Sequence, residues 1–159
     1  MSTEPTLPPR PLPALLTQVK EMAIDKMRAR LAEEGYADIR EGYGCVFGFI
    51  DIDEGSRVTD LAERSGLTKQ AVSEVIPELE QLGYAIREPD PRDKRAKIVR
   101  LTPKGREACL TGRRLFAEIE AEWAEQFGDE LLAALREAAE RIAAADRGEP
   151  AQAGTAPRM

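Results

Sequence analysis

Thr68, Lys69, Gln70, Ser73 and Glu74 put hydroxyl, ammonium, amide and carboxylate groups within seven consecutive positions. On a helix turning about 100° per residue, positions 69, 70, 73 and 74 share one face. Such a face can offer directed hydrogen bonds to the edges of base pairs in a DNA major groove. A second group, Arg92, Asp93, Lys94 and Arg95, is dominated by cations. Its chemistry is attraction to phosphate. Catalysis has little to build on. The chain has no histidine, and its two cysteines, Cys45 and Cys109, have no histidine partner and no metal-ligand spacing. That leaves no nucleophile–base pair, and the carboxylates fall mostly on helix surfaces, so the expectation is not an enzyme, with no cofactor and no metal.

The elements that must position these groups are legible around them. Thr68 is a good N-cap, because its hydroxyl can accept from the free amides of the first turn. From Lys69 onward, Ala71, Val72, Val75, Ile76, Leu79 and Leu82 fall on one side of the helix. Just before it, Thr59–Ser65 is expected as a short helix with Leu61 and Ala62 inward, and Ser65–Gly66 as the turn. Helix, glycine-containing turn and capped helix make a helix-turn-helix pattern. Gly83 should end the second helix. Tyr84–Arg87 is expected as a strand, Glu88–Arg95 as a turn, and Ala96–Leu101 as a second strand. A hairpin directly after a helix-turn-helix is a wing. Pro77 lies inside the second helix, where it removes an amide bond and should kink it. Glu74 faces outward, where it repels phosphate yet can accept from cytosine N4.

The 159 residues suggest one domain. The net charge of −6 looks unsuited to DNA, but it is unevenly spread. Residues 1–53 carry −3, residues 54–106 carry +2, and residues 107–159 carry −5. Within Arg87–Arg106 there are 8 basic against 3 acidic groups. Contact with phosphate depends on the local field and not on the global sum. No apolar run is long enough to span a bilayer and the N-terminus lacks a signal pattern, so a cytoplasmic protein with no membrane partner is expected.

The stretch from Gly66-Leu67-Thr68 with Val72-Ser73, through Leu79-Glu80 and Leu82-Gly83-Tyr84, to Asp90–Arg95 and Leu101-Thr102-Pro103-Lys104-Gly105 resembles the multiple-antibiotic-resistance regulator (MarR) family. Asp93, Arg95, Leu101 and Thr102 meet that family's wing signature. The best match covers about a third of the chain. The resemblance implies a mainly α fold with a small β-hairpin wing: a winged helix-turn-helix lobe at about 43–101, flanked by dimerisation helices at about 14–34 and 103–146. It also implies that the segment Tyr43–Ile52, whose length alone permits strand or helix, is a helix backing the DNA-binding lobe. Arg57-Val58 should supply a very short first strand. Arg95 should enter the minor groove with its guanidinium fixed by Asp93, while Arg92 and Lys94 add phosphate contacts.

Outside the lobe, residues 1–13 are expected to form a mobile arm and 147–159 a disordered tail, from their proline- and glycine-rich composition. The helix of residues 14–34 has a wide apolar surface, compatible with a homodimer interface or with a buried helix. A helix from Pro103 to about Gln126 and another at Asp129–Ala145 complete the chain. A two-fold dimer implies a pseudo-palindromic operator in double-stranded DNA. Gln70 can read adenine, Lys69 can reach guanine or phosphate, and Thr68 and Ser73 can hold phosphate. The resemblance implies a repressor relieved by a small aromatic or phenolic effector, bound between the dimer helices and the DNA lobe. Tyr36, Tyr43, Phe47 and Trp123 can line such a cleft, or pack in the core. Two alternatives remain: a winged-helix module that binds protein, and a cysteine-based redox-responsive regulator.

Overall fold

The computed structural model describes residues 9–146. The expected N-terminal arm lies mostly outside these residues, and the expected C-terminal tail wholly so. The chain divides into two compact units, Met1–Phe116 and Ala117–Met159.

In the first unit, α1 runs Leu12–Leu31. It starts two residues earlier than the proline-rich composition suggests. Pro13 sits in the first turn, where an amide hydrogen has no intrahelical partner to lose. Only Leu31 of this helix is buried. A wider π turn, Ala32–Tyr36, follows, and Gly35 inside it takes a non-helical φ of 100°. The apolar segment after it forms a short helix, α2 (Gly44–Phe47), as the family resemblance implies.

The helix-turn-helix is α3 (Val58–Ser65) and α4 (Lys69–Gln81). Thr68 caps α4 as expected, its Oγ1 accepting from the Ala71 amide at 3.1 Å. The helix passes through Pro77 without a break. Its end is a Schellman arrangement: the Tyr84 amide donates to Leu79 at 2.8 Å and the Gly83 amide to Glu80 at 3.0 Å. Gly83 takes φ of 78° there, a backbone conformation that a side chain disfavours.

Three antiparallel strands follow the order β1 (Ser56–Arg57), β3 (Asp93–Leu101), β2 (Ala85–Asp90). The hairpin is longer than expected. Glu88 pairs with Ile98 and Pro89 with Lys97, and the irregular Asp90–Asp93 pair leaves only Pro91 and Arg92 as the connection. The proline-rich composition suggested a wide turn, but β2 is an edge strand, where a missing N–H is tolerated.

The core gathers the inward faces of these elements. Leu61, Val72, Ile76, Leu79, Val46, Ile50 and Val99 are fully buried around Tyr84. Thr102 ties the last strand to α5 (Pro103–Phe127). Its hydroxyl donates to the Gly83 carbonyl at 2.6 Å and accepts from the Gly105 amide at 3.0 Å. A Cβ at Gly105 would stand 1.9 Å from the Tyr84 carbonyl oxygen, so only glycine fits.

The second unit holds the C-terminal part of α5 and the helix α6 (Asp129–Asp146). Glu120 and Arg136 pair there. Trp123 lines a groove with Leu132, Leu135 and Ala139.

Candidate nucleic-acid interface

The α4 face opposite the core carries the residues expected to read bases. Val72, Ile76 and Leu79 are buried, while Lys69, Gln70, Ser73 and Glu74 are all exposed. Two of them are coupled: the Gln70 amide donates through Nε2 to Glu74 Oε1 at 3.2 Å. Gln70 keeps a carbonyl oxygen and a second N–H for a base. The Thr68 hydroxyl oxygen already accepts from the Ala71 amide, which leaves its proton and one lone pair to face outward.

Two contacts anchor this helix to its surroundings. The Tyr43 phenol donates to Glu78. Glu80 takes Arg87 of β2 in a fork, with Oε1 3.1 Å from Nε and Oε2 2.7 Å from Nη2. Arg87 also gives its backbone amide to Glu80. That pair raises the Arg87 guanidinium further above its ordinary value. The reading helix and the wing are therefore cross-linked by charge-assisted bonds.

The wing is built on Asp90, which sequence reasoning did not single out. Only 4% of this residue is exposed. Its Oδ2 accepts from Arg57 Nε at 2.6 Å and Nη2 at 2.5 Å, and its Oδ1 from the Arg92 amide at 2.8 Å. The Arg92 amide and then Arg57 hold the carboxyl below its ordinary value, against the opposing effect of burial. The Asp-Pro-Arg spacing does signal a carboxylate turned onto its own chain two residues on. The long-range partner, Arg57, has no such signal.

Asp93 differs from the expectation. It does not hold the Arg95 guanidinium; its Oδ1 accepts from the Arg95 backbone amide at 3.1 Å. The short turn favours that local bond. Arg92 pairs with Glu54 at 3.1 Å, both side chains being well exposed. Among the described residues, Lys94, Arg95 and Lys97 meet no carboxylate. These are the cations the wing has free for phosphate or groove.

Of the aromatic residues proposed for an effector cleft, Tyr36, Tyr43 and Phe47 pack within the first unit. Tyr43 and Phe47 are buried, and Phe47 meets the Tyr84 ring edge-on at 5.7 Å. Tyr36 lies 6.4 Å from the same ring. Trp123 belongs to the second unit. The Tyr84 phenol donates to Asp38 at 2.5 Å, and Lys104 stands over its ring at 4.1 Å. Burial and then the Asp38 bond push that phenol well above its ordinary value. A different cavity, of about 470 Å³, opens in the first unit. Arg64, Arg106 and Arg113 line it beside Phe49, Leu110 and Asp51. Burial raises the Cys109 thiol, which works against an exposed reactive thiolate. The Cys45 side chain lies outside the described residues.

A capped helix with a polar outer face, backed by a braced basic hairpin, defines a winged helix-turn-helix protein. The comparisons place it more closely. Residues 43–96 match the sequence model of the MarR family. Three solved relatives share the fold over most of the chain. CouR from Rhodococcus jostii RHA1, bound to p-coumaroyl-CoA, is 24% identical with a TM-score of 0.66, covering 81% of this chain and 89% of its own. MarR from Escherichia coli in its apo form is 21% identical with a TM-score of 0.67, covering 84% and 97%. The transcriptional regulator PA4135 is 25% identical with a TM-score of 0.69, covering 89% and 100%. CouR was also solved as a transcriptional repressor on a 23-mer DNA duplex, at 23% identity and a TM-score of 0.68, covering 84% and 92%. No curated protein matches the sequence. Together these findings give the chain the winged-helix fold of these regulators, with a MarR-like sequence over residues 43–96. No helix among the described residues is long and apolar enough to cross a membrane.

Proposed function

We propose that the protein is a homodimeric, sequence-specific DNA-binding regulator that works in the cytoplasm as a repressor. The observation that carries this reading is the pairing of the exposed Lys69–Glu74 face with a wing whose Lys94, Arg95 and Lys97 are uncommitted. The polar face suits base edges in the major groove, and the free cations suit phosphate and the minor groove. Dimerisation is supported by apolar residues left bare. Leu12, Leu15, Leu16, Val19 and Met22 of α1 are each at least 40% exposed. In the second unit Phe127, Leu131, Leu135 and Ile142 are likewise exposed. A second copy would cover such surface. Two-fold symmetry then requires a pseudo-palindromic operator with half-sites about one helical turn apart.

An effector of this regulator is an organic anion held by Arg64 and Arg113, its apolar part against Phe49 and Leu110, while Arg106 at the same cavity is paired with Asp53. CouR, bound to p-coumaroyl-CoA, gives a relative with an acidic aromatic ligand. The test is fluorescence anisotropy on the DNA upstream of the protein's own gene, against a scrambled duplex, at two salt concentrations. Tight, salt-sensitive and sequence-dependent binding is expected. Equal binding to both duplexes would remove sequence recognition. No binding at low salt would leave a winged-helix module for protein partners.

A further inference from the structure

We propose that Asp90 is the positioning residue of the wing: through Arg57 and the Arg92 amide it sets where the free Arg95 guanidinium meets the minor groove. The inference rests on the DNA-binding reading above and deepens it.

A carboxylate within a DNA-facing hairpin repels phosphate unless it is hidden. Asp90 is hidden, and it receives three bonds of 2.5–2.8 Å from two separate parts of the chain. One of them is unusual in reach. β3 lies between β1 and β2, so Arg57 on the first strand spans the middle strand to grip the far end of the third. An isolated hairpin is marginally stable, and its tip would sample many directions. The brace removes that freedom. From Asp90 the order passes along the tip. Its register partner is Asp93, which holds the Arg95 amide. Arg57 is spent on Asp90 and Arg92 on Glu54, so the brace decides which cation is presented: Arg95, flanked by Lys94. A groove contact needs this orientation before DNA arrives, because ordering the tip on binding would weaken affinity.

The experiment is a double-mutant cycle on the full-length protein: wild type, Asp90→Asn, Arg95→Ala and the double variant. Asp90→Asn keeps an acceptor for the Arg92 amide and removes the charge that binds Arg57. Affinity is read on operators carrying A·T or G·C pairs beneath the wing. Asp90→Asn should weaken binding about tenfold and erase the A·T preference, while preferences beneath α4 persist. In the Arg95→Ala background it should cost less than about twofold. An equal cost in both backgrounds, or a loss of preference at every position, would assign Asp90 a general structural role and overturn the proposal. So would an Asp90→Asn protein that binds like wild type. If Asp90→Asn does not fold by circular dichroism, Arg57→Gln, on a partly exposed strand end, takes its place in the same cycle. Failure of wild type to prefer its operator is seen first and sinks the DNA-binding reading itself; wild-type binding that depends on Arg95 but not on Asp90 sinks only this inference.

Discussion

Arg57 and Asp90 stand 33 residues apart in sequence, yet two nitrogens of one meet a single carboxylate oxygen of the other, at 2.6 and 2.5 Å. The pair joins the outer strands of the sheet over the middle one. It commits a cation that would otherwise be free, so its effect lies in the shape of the wing. It also makes the fold sensitive to acid.

The Asp90 carboxyl is held below its ordinary value of 3.8. A carboxyl lowered in the folded state contributes stability that is fully present above its unfolded value and lost as pH falls through the folded one. Wild type should therefore lose urea resistance between about pH 5 and the acid limit of folding. Asp90→Asn should start lower at pH 7 and lose less over the same range. Urea midpoints measured at several pH values for both proteins check this; parallel curves would count against it.

Gly105 has no room for a side chain. In Gly105→Ala the new methyl must displace the Tyr84 carbonyl, which lies 1.9 Å from its ideal position. Overpacking of this kind costs about 1–3 kcal/mol, and more when backbone must move. The melting temperature should fall by several degrees, by roughly 2–4 °C per kcal/mol for a chain of this length. A thermal melt followed by circular dichroism is enough to see it.

Arg95 is exposed and meets no carboxylate among the described residues. Arg95→Ala removes one cation from each subunit of the proposed dimer, so it should weaken operator binding and make the plot of log affinity against log salt shallower by about two units. Arg92→Ala, which loses a side chain shared with Glu54, should change that slope less. Anisotropy titrations across a salt series give both numbers.

Glu74 orients Gln70 through the 3.2 Å bond from its amide. Gln70→Ala should lose about 1–3 kcal/mol of preference at one adenine. Glu74→Ala should bind generic DNA more tightly, since a phosphate-repelling charge is gone, while discriminating less at that same adenine. Selection from a randomised operator library would expose the shift; unchanged base preference in both variants would assign the pair to the solvated surface.

The parts of the fold that depend on local periodicity were readable from sequence. Thr68 caps the helix where it was expected to, and Val72, Ile76 and Leu79 face inward. The outward set Lys69, Gln70, Ser73 and Glu74 followed from the same 3.6-residue period. What escaped depends on partners distant in the chain. Asp90 looked like one more turn residue, because nothing local announces Arg57. Tyr43 and Phe47 looked available to a ligand, because an aromatic side chain has the same pattern in a core as in a cleft. The hairpin was drawn too short because Pro89 argues against a strand in the centre of a sheet, and sequence alone did not place it on an edge.

That edge has a consequence for how the protein behaves in a crowded solution. The outer side of β2 offers backbone donors and acceptors to any passing strand, and Ile86 there is 43% exposed. Arg87, Glu88 and Pro89 follow it directly. Two charges and a residue without an amide hydrogen make poor templates for another chain to zip onto. The hairpin is thus also guarded against sheet-to-sheet aggregation; apolar replacements along 87–89 would remove that guard, and at Arg87 they would also cut the link to Glu80.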